Sequence, residues 1–252
     1  MAGHLYILGG EKFLDGPWYR EFWMLDLTKL DEWRPLPPYP IPLSVIDNLV
    51  GYSMAVHSDD KAYLFTGRRQ VEFFDLATRK WGRIMTTYKG DDGRVKPGRW
   101  PYPGDRLVDY AMQCVDGRLY VFGGTHADSI IGCNLLLELN LQTKEWRKLS
   151  GSIKPEADYS CPGPRRHPIS WVGKDKTKIF FMYGDADRQG AMVSGEKHGS
   201  MHAYAYDDLW SWDIKKGKWN REKLNGNLPC QRSEMSCTYV RPFRFFGLHQ
   251  DS

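Results

Sequence analysis

Apolar and polar positions along this chain follow one template four times. An apolar run closing on glycine recurs at 4–10 (HLYILGG), 61–67 (KAYLFTG), 118–124 (RLYVFGG) and 178–184 (KIFFMYG). The closing glycines, Gly10, Gly67, Gly124 and Gly184, fall 57, 57 and 60 residues apart. A second apolar run comes after each and ends at Asp26, Asp75, Asn140 or Asp213, with a tryptophan 7, 6, 6 and 6 residues later at Trp33, Trp81, Trp146 and Trp219. Alternating runs precede three of the glycine-ended segments, at 51–57 (GYSMAVH), 109–115 (DYAMQCV) and 165–172 (RRHPISWV). The polar turns SDD, DG and GKDKTK join each of these to its glycine-ended neighbour, as hairpins require. The pattern predicts a unit of four antiparallel strands: a, then b ending in Gly, then c ending in an acid or amide, then d beginning at Trp. Imperfect alternation in b and c is expected of a sheet covered on both faces.

Self-similarity at this period marks a repeat architecture in which each unit supplies one layer that cannot bury its faces alone. Four-stranded sheets stacked face to face around an axis make a β-propeller, so the expected fold is all-β. The units fall at about 4–36, 51–84, 109–149 and 165–224 within one domain spanning 1–252. The first unit lacks a strand a. Residues 232–240 (RSEMSCTYV) read as strand a of a fifth unit, and PFRFFG continues it, so 232–252 is expected to be a partial blade. About four blades and the start of a fifth predict an incomplete propeller whose first and last sheets expose apolar faces.

The Gly-Gly pairs Gly9-Gly10 and Gly123-Gly124, the aromatic-rich strand c with its terminal acid, and the spaced tryptophans resemble the Kelch-repeat propellers, a group that includes the galactose-oxidase-like propeller. The likeness covers nearly the whole chain. Thr66-Gly67 and Tyr183-Gly184 depart from the Gly-Gly pattern, so those bends must accept a side chain. The repeat residues themselves are read as structural: glycine relieves a strained bend, Asp or Asn anchors a turn, and Trp fills the layer between sheets. The resemblance implies a protein-interaction module, acting as a scaffold or as the substrate-recognition part of an adaptor.

In a sheet of this order the b-to-c and d-to-a connections emerge on one face, and the long ones all belong to those classes: 11–21, 37–49, 86–107, 151–163 and 185–207. Long connections of this kind carry function disproportionately. That face holds Trp18, Arg68, Arg69, Arg99, Trp100, Tyr102, Arg106, Arg165 and Arg188, with His126 just past the third Gly pair; these are the candidate partner contacts. Arg, Trp and Tyr supply interface anchors through bidentate hydrogen bonds and large contact area, and the sign of the face predicts an acidic protein or peptide partner. A second reading is a metal-dependent enzyme built on the 185–208 loop, where Glu196, His198 and His202 offer three ligands with Asp185, Asp187, Asp207 and Asp208 nearby. Gly195 and Gly199 argue against a helix that would gather the two histidines.

The remaining features exclude more than they add. A net charge of +4 over 35 basic and 31 acidic residues is too dilute for a nucleic-acid reader. No run reaches the ~20 apolar residues of a membrane span, and no secretory leader is read at the N-terminus, which predicts a cytoplasmic or nuclear location. Five scattered cysteines without a CxxC pair indicate neither a disulfide framework nor a zinc knuckle. No Walker loop, nucleophile elbow or dinucleotide fingerprint occurs, so neither a catalytic constellation nor a cofactor is expected.

Overall fold

The structure is a computed structural model and describes residues 3–12, 17–29, 32–40, 51–57, 59–90, 92, 94, 107–126, 133–153, 156–187, 204–227 and 230. Every regular element among them is a β-strand. Blade 1 contains strands b, c and d at His4–Leu8, Phe22–Asp26 and Trp33–Leu36. Blade 2 runs a to d as Met54–His57, Lys61–Phe65, Gln70–Asp75 and Lys80–Met85. Blade 3 is Ala111–Val115, Arg118–Phe122, Leu136–Asn140 and Glu145–Ser150. Blade 4 is Ile169–Val172, Lys178–Met182, Leu209–Asp213 and Lys218–Arg221. Within each blade the strands pair antiparallel in chain order.

The layers between blades form the core. Phe22 and Leu36 of blade 1 pack with Ala62 and Phe74 of blade 2. Tyr63 and Phe65 of blade 2 meet Leu119, Val121 and Leu137 of blade 3. Tyr120 and Phe122 of blade 3 meet Ile179 and Phe181 of blade 4. From blade 2 onward, each strand-d tryptophan is the rivet of its layer. Its ring packs among aromatics, at 5.7 Å from Phe22 for Trp81, 4.9 Å from Phe65 for Trp146 and 5.2 Å from Phe122 for Trp219. Its indole N–H crosses to the end of strand d of the preceding blade: Trp81 to the Pro37 carbonyl (2.9 Å), Trp146 to Thr86 Oγ1 (3.0 Å) and Trp219 to Ser150 Oγ (2.9 Å). Trp33 lies on the opposite face of blade 1 from Phe22, away from blade 2, and is 41% exposed. Three of the four spaced tryptophans therefore fill the layers; the first does not.

Two expectations of the sequence are corrected. Residues 109–110 and 165–168 are not part of strand a, which begins at Ala111 and Ile169; the preceding residues are spent on contacts between blades. Thr87–Lys89, placed by sequence in a loop, instead pairs in parallel with strand d of blade 3 and gives that blade a fifth, outer strand. Thr86 explains the diversion, because its hydroxyl receives the Trp146 indole and the next amide, Thr87, donates to Lys144 O (2.9 Å). An outer edge that would present unpaired backbone groups is thus covered. Two short ribbons, Leu107–Val108 with Thr125–His126 and Asp185–Ala186 with Tyr204–Ala205, were also not legible in the sequence.

The bends after strand b are left-handed in pairs at Gly9-Gly10, Gly123-Gly124 and Tyr183-Gly184, with φ of 61° at Tyr183. In blade 2 only Gly67 is left-handed (φ 78°), and Thr66 keeps an ordinary conformation, which is how that position accepts a side chain. Gly124 has two reasons to be glycine: its φ is 93°, and a Cβ there would lie 2.6 Å from the Val108 carbonyl. Gly124→Ala is expected to destabilise the fold by about 1–3 kcal/mol, the range for a side chain forced into such backbone. An unchanged urea midpoint for this variant would contradict the assignment.

Candidate functional site

On the b–c and d–a loop face the blades are laced by one repeated contact. A left-handed residue precedes strand a in blades 2, 3 and 4: Gly51, Asp109 and His167, with φ of 76°, 60° and 53°. Asp109 N donates to Gly51 O (2.6 Å) and His167 N donates to Asp109 O (2.7 Å). These three residues are 58 apart in sequence, so the spacing was visible, but nothing in their identities (Gly, Asp, His) advertised a shared role.

His167 lies in a small charged network. Its Nδ1 is 2.8 Å from Asp185 Oδ1 and its Nε2 is 3.4 Å from Asp109 Oδ1. Burial opposes a charged imidazole, but the hydrogen bonds and charges of Asp109 and Asp185 outweigh it and bring the His167 pKa up to about 9. Both ring nitrogens then donate at neutral pH. Asp185 also accepts from Arg166 Nε (2.6 Å). Burial of Asp185 raises its pKa, and the two cations more than reverse that, holding it below the usual carboxylate range.

Arg165 was expected at the surface as a partner contact. It is fully buried. Its guanidinium forms a fork with Asp208, Nη1 to Oδ1 at 2.5 Å and Nη2 to Oδ2 at 2.9 Å. Further hydrogen bonds go to the Gly163 and Tyr183 carbonyls (both 3.1 Å), and the Tyr206 ring lies 3.9 Å beneath. Tyr206 in turn donates to Pro164 O, and Trp210 Nε1 donates to Asp208 Oδ2 at 2.8 Å. Desolvation would raise the Asp208 pKa; Arg165 and Trp210 overcome it and keep the carboxyl ionised. His126 is likewise buried, at 4% exposure, because its short strand folds back against Leu107. Neither residue presents a surface to a partner, and both candidate assignments are withdrawn.

Three other candidates are described and accessible. Arg68 is half-buried and Arg69 exposed on the bend between strands b and c of blade 2. Trp18 is 41% exposed, and its indole donates to Glu11 Oε2 across a one-residue bridge (3.0 Å). Behind the arginine bend lies Glu72, 3% exposed, whose pKa burial pushes up to about 7 against the partial relief given by Arg83, Gln70 and Arg68. Arg99, Trp100, Tyr102, Arg106 and Arg188 lie outside the described residues, as do Glu196, His198 and His202 of the metal-ligand reading. Of the carboxylates flanking that loop, Asp185 and Asp208 are each held by cations of this chain.

The repeated sheets, the indole rivets and the left-handed bends agree with the comparison to known families. Residues 1–246 match the family model described as the KLHDC2/KLHL20/DRC7 Kelch-repeats domain. The chain belongs to the Kelch-repeat family. Curated relatives include Kelch domain-containing protein 1 of Mus musculus, 29% identical over 139 residues, covering 50% of this chain and 32% of that protein. Kelch domain-containing protein 3 of Homo sapiens is 22% identical over 187 residues, covering 71% of this chain and 42% of its own length. The match thus spans less than half the length of each of these two relatives. Among solved structures, that of YjhT superposes with a TM-score of 0.61 at 15% identity over 93% of this chain and 70% of that one, a likeness of fold.

Proposed function

We propose that this Kelch propeller binds a partner protein or peptide on its b–c and d–a loop face, with acidic or hydrogen-bond-accepting groups of the partner received by Arg68 and Arg69, as a scaffold or the recognition part of an adaptor. Kelch propellers are in general protein-interaction modules. The observation that carries the reading to this face is how firmly the arginine bend is mounted. The Arg69 carbonyl accepts both the amide (3.0 Å) and the hydroxyl of Thr86, and Thr86 is the residue that also receives the Trp146 indole. A bend whose backbone is fixed to the inter-blade layer loses little backbone freedom on binding, which favours an anchor there. Trp18 supplies an exposed aromatic on the corresponding connection of blade 1.

Reversing both charges, Arg68→Glu with Arg69→Glu, is expected to weaken partner capture by about tenfold or more while leaving the melting temperature within a degree or two. Lys176→Glu with Lys216→Glu, on the tight-turn face, is the control and should retain the same partners. Quantitative affinity capture comparing the three proteins decides the point. Partners kept by the arginine reversal and lost by the control would move the interface to the other side.

A further inference from the structure

Blade 1 carries on its outer side the face that every other blade buries. In each unit the positions five and three residues before the closing glycine, those one and three residues before the acid or amide of strand c, and the strand-d tryptophan share the side turned to the preceding blade. Three residues before glycine these are Ile7, Leu64, Val121 and Phe181. Leu64, Val121 and Phe181 are 2%, 0% and 1% exposed, whereas Ile7 is 47% exposed. Leu5, Trp23 and Leu25 extend the face of blade 1, each half-buried, beside exposed Trp33. Within the three strands no charged side chain stands on this side. A contiguous apolar face left in water marks a contact surface.

The repeat also specifies what that face fits. In blades 2 and 3 the receiving side offers Phe65 and Phe122, two residues before glycine, against which Trp146 and Trp219 rest, and the end of strand d, where Thr86 and Ser150 accept the indoles. Blade 4 repeats this receiving side on its outward face. Phe180 stands in the register of Tyr63 and Tyr120, and Met182 in that of Phe65 and Phe122. Phe180 stacks on Trp171 (5.4 Å, 12°), which makes a flat, half-buried aromatic surface. The charges beside it are already matched: Lys178 Nζ lies 3.0 Å from Glu222, which also accepts from Ser211 Oγ (2.6 Å). An apolar face docked there buries no unpaired charge. Pro37, Thr86 and Ser150 lie four or five residues after a strand-d tryptophan; in blade 4 those positions are 223–224, and they receive no indole among the described residues.

Within one chain the two faces do not meet. The core layers of the described residues join blade 1 to 2, 2 to 3 and 3 to 4, and none joins 4 to 1. We propose that the outer face of blade 1 docks on the outer face of blade 4 in a second copy of this chain, head to tail, with Trp33 as the rivet between copies and the end of strand d at 223–224 as its acceptor. The contact is heterologous, so two copies make a ring if the angle closes and a longer assembly if it does not. It uses no residue of the arginine bend and stands or falls separately from the loop-face reading.

Size-exclusion chromatography with light scattering on the full chain, across the micromolar range, is the first test. A mass of at least two copies of 29.2 kDa is expected at the upper end. Ile7→Glu with Trp33→Glu should weaken assembly by about a hundredfold or more, because two carboxylates would be pressed against an apolar surface, with the strand signal in circular dichroism unchanged since both positions are exposed. The second test reads the partner face without disturbing either apolar surface. Pro35→Cys, on the exposed side of strand d of blade 1, is mixed with Lys223→Cys and treated with a short bismaleimide, and peptide mass spectrometry should find position 35 of one copy joined to position 223 of the other. A monomer at every concentration, as when residues 232–252 of the same chain cover either face, would overturn the assignment. So would assembly untouched by the double glutamate variant, or a link from 35 to 35, which would mean two blade 1 faces packed together.

Discussion

Arg165→Ala is expected to cost about 3–5 kcal/mol of folding free energy, the range for removing one partner of a buried ion pair. The reason is what stays behind. Asp208 is 8% exposed and would be left with the Trp210 indole, while the Tyr183 and Gly163 carbonyls lose the guanidinium donors and the Tyr206 ring loses the cation stacked on it. Arg165→Lys restores a charge but not a fork, since an ammonium cannot meet both Asp208 oxygens in plane, and it should recover only part of the loss. Arg165→Met combined with Asp208→Leu removes both charges and should lie well above the alanine variant in stability, because no uncompensated carboxylate is left buried. Urea unfolding of the three variants beside the parent separates these cases. A cost below about 1 kcal/mol for Arg165→Ala would mean that water reaches Asp208, and the pair would then be a surface one.

Arg165 also shows where sequence reasoning loses its grip. An arginine at the loop end of a blade reads as an exposed contact, because most arginines are exposed. What buries this one is Asp208, 43 residues downstream at the head of strand c, and Tyr206 two residues before it. No local pattern joins those positions; the blade register does. The strands themselves were legible because each is specified within a few residues, by apolar runs, turn residues and a glycine that only a left-handed bend requires. The indole rivets were half legible: the tryptophan was visible, but its acceptors are a carbonyl, a threonine and a serine, chemically unlike one another and alike only in position.

The contacts between blades divide into two kinds with different responses to solution conditions. The apolar layers of Phe22, Phe65 and Phe122 are insensitive to pH, whereas the lacing at the loop face depends on the ionisation of Asp185, Asp208 and His167. Both carboxylates have pKa values lowered in the fold, so their contribution is present above the ordinary carboxylate range and is lost as pH falls through it. Glu72 works the other way. With its pKa raised to about 7, the folded state holds a proton that the unfolded chain has released above about pH 4.5, and stability falls as pH rises between those values.

His167 should therefore set the alkaline limb of stability. Its pKa is near 9 in the fold and about 6.5 in an unfolded chain. Below about pH 6.5 both states carry the proton and the full benefit of its two carboxylate contacts is present; as pH rises toward 9 the folded state must release a proton that the unfolded state has already lost, and the benefit disappears. The whole shift corresponds to about 3 kcal/mol, of which about 2 kcal/mol falls between pH 7 and pH 8.5. That interval is the informative one. Glu72 adds only the tail of its titration there, and the thiols of half-buried Cys114 and buried Cys161, pushed up to about 12 by burial, favour the unfolded state chiefly above it. Urea unfolding at pH 7 and at pH 8.5 should show this fall for the parent and a nearly flat response for His167→Gln, whose amide can still donate to Asp185 but carries no charge. A parent protein as stable at pH 8.5 as at pH 7 would mean that His167 is neutral between its carboxylates. At the loop face His167 would then tie blade 4 to blade 3 through its backbone hydrogen bond to Asp109 O.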